Sequence, residues 1–216
     1  MKLKIRNLHP SEIEVRVQKS TEKGTAFLLY KNARCDMNVL DETVGPFNWQ
    51  RKHTRDNANC IISIWDDEKQ QWIDKEDTGV ETYAEKEKGL ASDSFKRAGF
   101  NWGVGRELYT APFVYISSSV VPTTQRGGKY VLKGFPGIRV DKIKTSSDKV
   151  IRQLKLVDKN GKVVYSWADP RNAELYSLLK QHGNEKITGI SKKHNINSTD
   201  ITYDQLELLK KELANG

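Results

Sequence analysis

Lys96 and Arg97 stand side by side in the stretch ASDSFKRAGFNWGVGRELY, with two glycines and Arg106 close behind. Adjacent cations on one helical turn suit the oxygens of a polyanion. They neutralise neighbouring phosphates, and the binding that results is indifferent to base sequence and steep in salt. Arg34 could extend such a track, as could Arg51 and Lys52 in the stretch NWQRKHT. Between Thr124 and Lys155, nine basic residues stand against Asp141 and Asp148: Arg126, Lys129, Lys133, Arg139, Lys142, Lys144, Lys149, Arg152 and Lys155. This segment carries +7, in a chain whose formal net charge is +8. A concentrated basic tract is the electrostatic footprint of a polyanion partner. A lysine-rich solvated surface has the same composition.

Other chemistries find less support. His9, His53, His182 and His194 are scattered, and no pair has ligand spacing on one element, so no metal is expected. Cys35 and Cys60 are isolated and have no local base, which reads as buried structural thiols. The run DDEK at 66–69 has the composition of a metal-dependent nuclease, with Asp67 near Lys69, but it falls in a hairpin turn, where both residues are ordinary. Gly103 and Gly105 end a helix instead of opening one, which excludes a phosphate-binding loop and leaves helix termination and a tight entry into the next strand. No catalytic residue and no cofactor is expected.

These side chains need elements to hold them. Ile13, Val15 and Val17 alternate with polar residues, as in a half-buried strand, and TAFLLYK is its hairpin partner. Asn32 caps a helix, ARCDMNVLDETVG, that Gly45 and Pro46 terminate. NWQRKHTR, CIISIWD and QWIDKED follow as a three-stranded antiparallel meander. In its first strand Trp49, Arg51 and His53 share one face, and Gln50, Lys52 and Thr54 the other. The helix carrying Lys96 starts near Tyr83–Glu85. Ala91, Phe95, Ala98 and Trp102 form its apolar stripe, with Lys96 and Arg97 on the flanks facing water or a ligand. Phe100 lies opposite the stripe, against a neighbouring segment or another subunit.

Further strands are expected in FVYISSSV, KYVL, GIRVDKIK, VIRQLKLVD and KVVYSW. DKNGK makes the turn between the last two, and TTQRGGK (123–129) is a flexible basic loop. After Asp169-Pro170 three helices follow. The expected class is α+β: residues 1–168 form the main unit and 169–216 a small helical region. At 216 residues the main unit can bury a core without disulfide or metal. No apolar run approaches the ~20 residues needed to span a bilayer. The opening MKLKIRNL has no hydrophobic region behind it, and the cysteine usage fits a reducing interior, so a cytoplasmic setting is expected.

Two stretches, ARCDMNVLDETVGPFNWQRK and EKEKGLASDSFKRAGFNWGVGRELY, resemble the Sak-type single-strand annealing proteins of phages and prophages, relatives of the eukaryotic recombination protein called Rad-fifty-two. The shared pattern is Arg34; Leu40-Asp41-Glu42; Val44-Gly45-Pro46; Asn48-Trp49; Ser92-Asp93; Lys96-Arg97-Ala98; and Trp102-Gly103-Val104-Gly105-Arg106 with Leu108-Tyr109. It covers about half the chain, from residue 12 to 116. The resemblance implies a β-β-β-α annealing core that assembles into a homo-oligomeric ring or filament, with single-stranded DNA in a basic groove held by Lys96, Arg97 and Arg34. Gly99 departs from the pattern by sitting inside the helix, at a cost of ~1 kcal/mol relative to Ala.

The expected activity is annealing of complementary strands in recombination and repair, without ATP, through an annealed duplex intermediate. Arg51, Lys52, Arg106, Arg126, Lys129 and Lys133 are the further DNA-contact candidates. The helical region is a candidate surface for a host single-strand-binding protein or an exonuclease. It could equally cap the fold or touch a neighbouring subunit, and its Lys186, Lys192 and Lys193 could help hold DNA. The rivals are a DNA-binding barrel that does not anneal and a nuclease built on Asp67.

Overall fold

The computed structural model describes residues 3–80, 86–134, 136–197 and 201–215, with the side chains of 86–88 left aside. β1 (Glu14–Ser20) and β2 (Gly24–Tyr30) form an antiparallel hairpin that pairs Arg16 with Leu28 and Glu14 with Tyr30. The expected burial does not run the length of β1, whose register shifts at a bulge between Val17 and Lys19. Ile13 is buried, but Val17 is 48% exposed. α1 (Ala33–Val44) follows, with Asn32 accepting the Cys35 N–H at 3.0 Å and Gly45 ending the helix at φ +82°. β3 (Trp49–Thr54), β4 (Asn59–Asp66) and β5 (Gln71–Thr78) form the meander, and α2 (Lys86–Trp102) packs on β4 and β5. The expected start of α2 at Tyr83–Glu85 lies outside the described residues. Phe95 and Ala98 are fully buried, as the apolar stripe requires.

Gly103 and Gly105, at φ +102° and +66°, do end α2. They lead into a 3-10 helix, Arg106–Thr110, and not directly into a strand. Beyond it come β6 (Val114–Ser117), β7 (Thr123–Arg126), β8 (Lys129–Leu132), β9 (Arg139–Thr145), β10 (Ile151–Val157) and β11 (Val163–Ala168). The main sheet runs β11-β10-β9-β1-β2-β6, so the late strands add beside β1 and the hairpin sits mid-sheet. The segment read as a flexible basic loop is instead a paired hairpin, β7–β8. Gly127 and Gly128, at φ +54° and +77°, supply the tight turn, and the Thr123 hydroxyl anchors its base to the Thr21 carbonyl at 3.0 Å.

α3 (Pro170–His182), α4 (Asn184–Lys193) and α5 (Tyr203–Ala214) gather a second apolar cluster around Leu175, Ile187, Leu206 and Leu209. The fold is thus α+β, with antiparallel sheets and, among the described residues, five α-helices. Asp169 marks the junction. Its buried carboxylate accepts from Arg152 of β10 at 2.8 Å and from Arg171 of α3, and it caps α3 through the Arg171 N–H.

A buried ion pair joins three elements. Lys31, just past β2, and Asp36 on α1 are 2% and 0% exposed and in direct contact. Lys31 Nζ also donates to the Lys96 carbonyl of α2 at 3.3 Å and lies 4.2 Å from the Phe100 ring centroid. Burial drives the Asp36 carboxyl up to about 6 and the Lys31 ammonium down, while their mutual attraction resists both shifts. Gly99 faces this pair, and a Cβ there would collide with Asp36 Oδ1. A helix glycine exchanged for alanine ordinarily gains ~1 kcal/mol. Gly99→Ala is expected to lose about 1–3 kcal/mol by overpacking, read as a lower urea midpoint; a stabilised variant would contradict this account.

Candidate nucleic-acid interface

A groove of about 240 Å³ opens between α2, the end of β2 and the 3-10 helix; its lining includes Tyr30, Lys96, Arg97, Phe100 and Tyr109. Lys96 does not project freely into water as its helical position suggests. It is 4% exposed, because the outward-facing Tyr30 of β2 covers it. Its ammonium donates to the Tyr30 hydroxyl, lies 4.0 Å from that ring's centroid and 3.9 Å from Asp93 Oδ1. The Arg16 guanidinium sits over the same ring at 3.7 Å. Burial first, and Arg16 second, lower the Lys96 ammonium to about 8, with Glu14 opposing.

Arg97 is the more open cation, its side chain 39% exposed and its Nε 3.3 Å from Asp77 Oδ1 on β5. A polyanion would compete with Asp77 for it. Arg34 is exposed in the first turn of α1. A cation there opposes the helix dipole, so it does not serve the helix.

The remaining candidates are dispersed. Arg51 turns toward α2, with its guanidinium 4.9 Å from the Phe95 ring centroid, while Lys52 is exposed on the opposite face of the meander. Arg106 donates to the Phe100 and Asn101 carbonyls at 2.9–3.1 Å, which closes the C-terminus of α2. Arg126 and Lys129 face each other across the β7–β8 turn, and Lys133 is exposed just after β8. Of the nine proposed contacts, only Lys96 and Arg97 line the groove.

The basic tract also loses its continuity. Lys149 pairs with buried Glu107 at 3.7 Å, Arg152 with Asp169, and Lys155 with Asp141 at 2.7 Å. In the helical region Lys193 pairs with Glu212 at 2.9 Å. Phe100 packs on Tyr109 with centroids 4.4 Å apart, a contact with a neighbouring segment of the same chain. Asp66 closes the β4–β5 turn by accepting the Glu68 and Lys69 N–H groups at 3.0 and 3.1 Å. Among the described residues no three His, Cys, Asp or Glu side chains converge as a metal site would need.

Tyr30, Arg16 and Tyr109 were missed. The signal existed for two of them: alternation along β2 puts Leu28 and Tyr30 on one face, and Arg16 stands opposite Leu28. Several residues of the stretches that carry the resemblance serve the fold. Leu40 is fully buried, Asp41 accepts the Trp49 indole N–H at 2.7 Å, and Trp102 donates to the Ile62 carbonyl at 3.0 Å.

Lys96 supplies a pH test. Its ammonium falls from an ordinary 10.5 to about 8 on folding, so between those values the unfolded chain holds more protons and stability rises with pH. Lys96→Met lacks this contribution. The stability difference between Lys96→Met and wild type is therefore expected to move in favour of wild type from pH 7.5 to about 10, measured by urea denaturation at each pH; a pH-independent difference would contradict the burial. Compared with known proteins, the chain matches no family model, no curated protein and no solved structure.

Proposed function

We propose that this chain binds single-stranded DNA without regard to sequence and anneals complementary strands without ATP, as a homo-oligomer of the kind Sak-type proteins form. The observation that carries the reading is the groove itself, where two adjacent cations from one helical turn lie among aromatic side chains. Cations that track a backbone, together with rings that tolerate any base, are the ingredients of sequence-independent strand binding. Three strands followed by a helix, β3-β4-β5-α2, is the order expected from the resemblance and supports the reading, and Trp49 and Trp102 of the quoted stretches tie these elements to their neighbours. Annealing needs like-charged strands brought close. A cationic groove neutralises one strand's phosphates and extends it, and base pairing then supplies the free energy.

The excess charge favours the main unit as the DNA-binding part. Residues 169–216 contain seven basic and seven acidic residues, so the +8 resides entirely in 1–168. The neutral helical unit, with its own apolar cluster, is better suited to a protein partner than to a polyanion.

Lys96→Ala with Arg97→Ala is expected to weaken oligothymidylate binding. It should also flatten the plot of log affinity against log salt by ~0.7 for each phosphate no longer neutralised. Retained affinity and slope, with assembly intact, would remove these residues from the interface. Wild type should accelerate hybridisation of complementary oligonucleotides without ATP, and electron microscopy should reveal rings or filaments. A monomer that leaves hybridisation unchanged in low salt would refute the annealing reading.

A further inference from the structure

The groove beside Lys96 has a second chemistry. Phe100 is backed by the Lys31 ammonium, while its partner ring, Tyr109, is 65% exposed on the 3-10 helix. One ring of the pair is anchored and the other is presented to solvent. Leu28, 49% exposed, forms the next part of the wall. The sheet register continues the strip beyond it. β2 and β6 pair Ala26 with Tyr115 and Phe27 with Val114, so Phe113 takes the outward position next to Leu28. Val114 and Ile116 turn into the core, whereas Phe113 is 73% exposed and stacks on Tyr115 with centroids 6.3 Å apart and planes 13° apart. Two aromatic pairs, each with an open ring, therefore flank Leu28 and run beside the cations of the groove.

An exposed apolar strip of this kind marks a contact surface. A second copy of the chain laid over it would have to desolvate the Arg97–Asp77 pair, whose loss of water is costly. A nucleic-acid strand meets both demands, since its phosphates face the cations and its bases present flat apolar faces to the rings. Resting on the strand-binding reading above, we infer that Tyr109 and Phe113 are base-stacking platforms that hold nucleobases of the bound strand by their faces. Stacking occupies the face of a base and leaves its hydrogen-bonding edge outward. The strand is thus displayed with its edges open to a complement. Arg97 sets the strand's position through its backbone, and the rings set the spacing of its bases.

The test compares two probes of equal length: oligothymidylate, and an oligomer of abasic tetrahydrofuran sites with the same phosphates. Wild type is expected to bind oligothymidylate at least about tenfold more tightly, since stacking adds to the charge contribution. Tyr109→Ala and Phe113→Ala sit at exposed positions, and circular dichroism checks that they fold. Each should lose about five- to tenfold on oligothymidylate, nothing on the abasic probe, and keep the wild-type salt slope. Tyr109→Phe should restore binding. Equal binding of both probes by wild type overturns the inference while leaving the cationic groove in place. An altered assembly size in Tyr109→Ala, with oligothymidylate affinity intact, also overturns it and assigns the strip to a contact between copies. Failure to bind either probe defeats the strand-binding reading as well, a result distinct from both.

Discussion

The contact between Lys31 and Asp36 is the constraint on which the groove depends. Burying two charges is costly, and removing either partner leaves the other unpaired in an apolar site, typically at 3–5 kcal/mol. The pair sits where β2 ends, α1 begins and α2 passes. Lys31 reaches the Lys96 carbonyl and the Phe100 ring, so the position of the cationic turn is set by a residue that never meets solvent. Two glycines make room for it. Gly99 clears Asp36, and Gly105, already at φ +66°, clears the Lys31 side chain, whose Cδ would lie 2.7 Å from a Cβ. The helix interior gives up intrinsic propensity at Gly99 so that α1 and α2 can close on a charge.

Local patterns carried far in this sequence. The Asn32 cap, the Gly45 stop, the three-stranded meander and the Asn-Gly turn between β10 and β11 are each specified by a few neighbouring residues, and each is present. What did not show was what one element lays over another. A helical projection puts Lys96 on an open flank because it contains no β2; Tyr30 arrives from far away in the chain and covers it. The same limit hid the placement of β9 beside β1, a pairing between distant segments. Gly99 was visible only as lost propensity, since its steric reason is a carboxylate on another helix.

Counting charges also overstated the interface. A run of cations along the chain becomes a field only if folding leaves the cations on one surface. Lys149, Arg152 and Lys155 instead serve Glu107, Asp169 and Asp141. Exposed cations remain on the β7–β8 hairpin, which contributes no residue to the groove lining. Lys96 and Arg97, the two candidates that line the groove, are neighbours on one helix, and adjacency of that kind can be read directly from the sequence.

Asp169 links the two apolar clusters through one buried carboxylate shared by a strand and a helix. Swivelling α3 about that point would strand a guanidinium in the interior, so the joint resists torsion. A load hung on the three-helix unit would be taken up first at β10, the strand that carries Arg152. The unit is geared to the sheet like a lever arm, not hung from it on a tether.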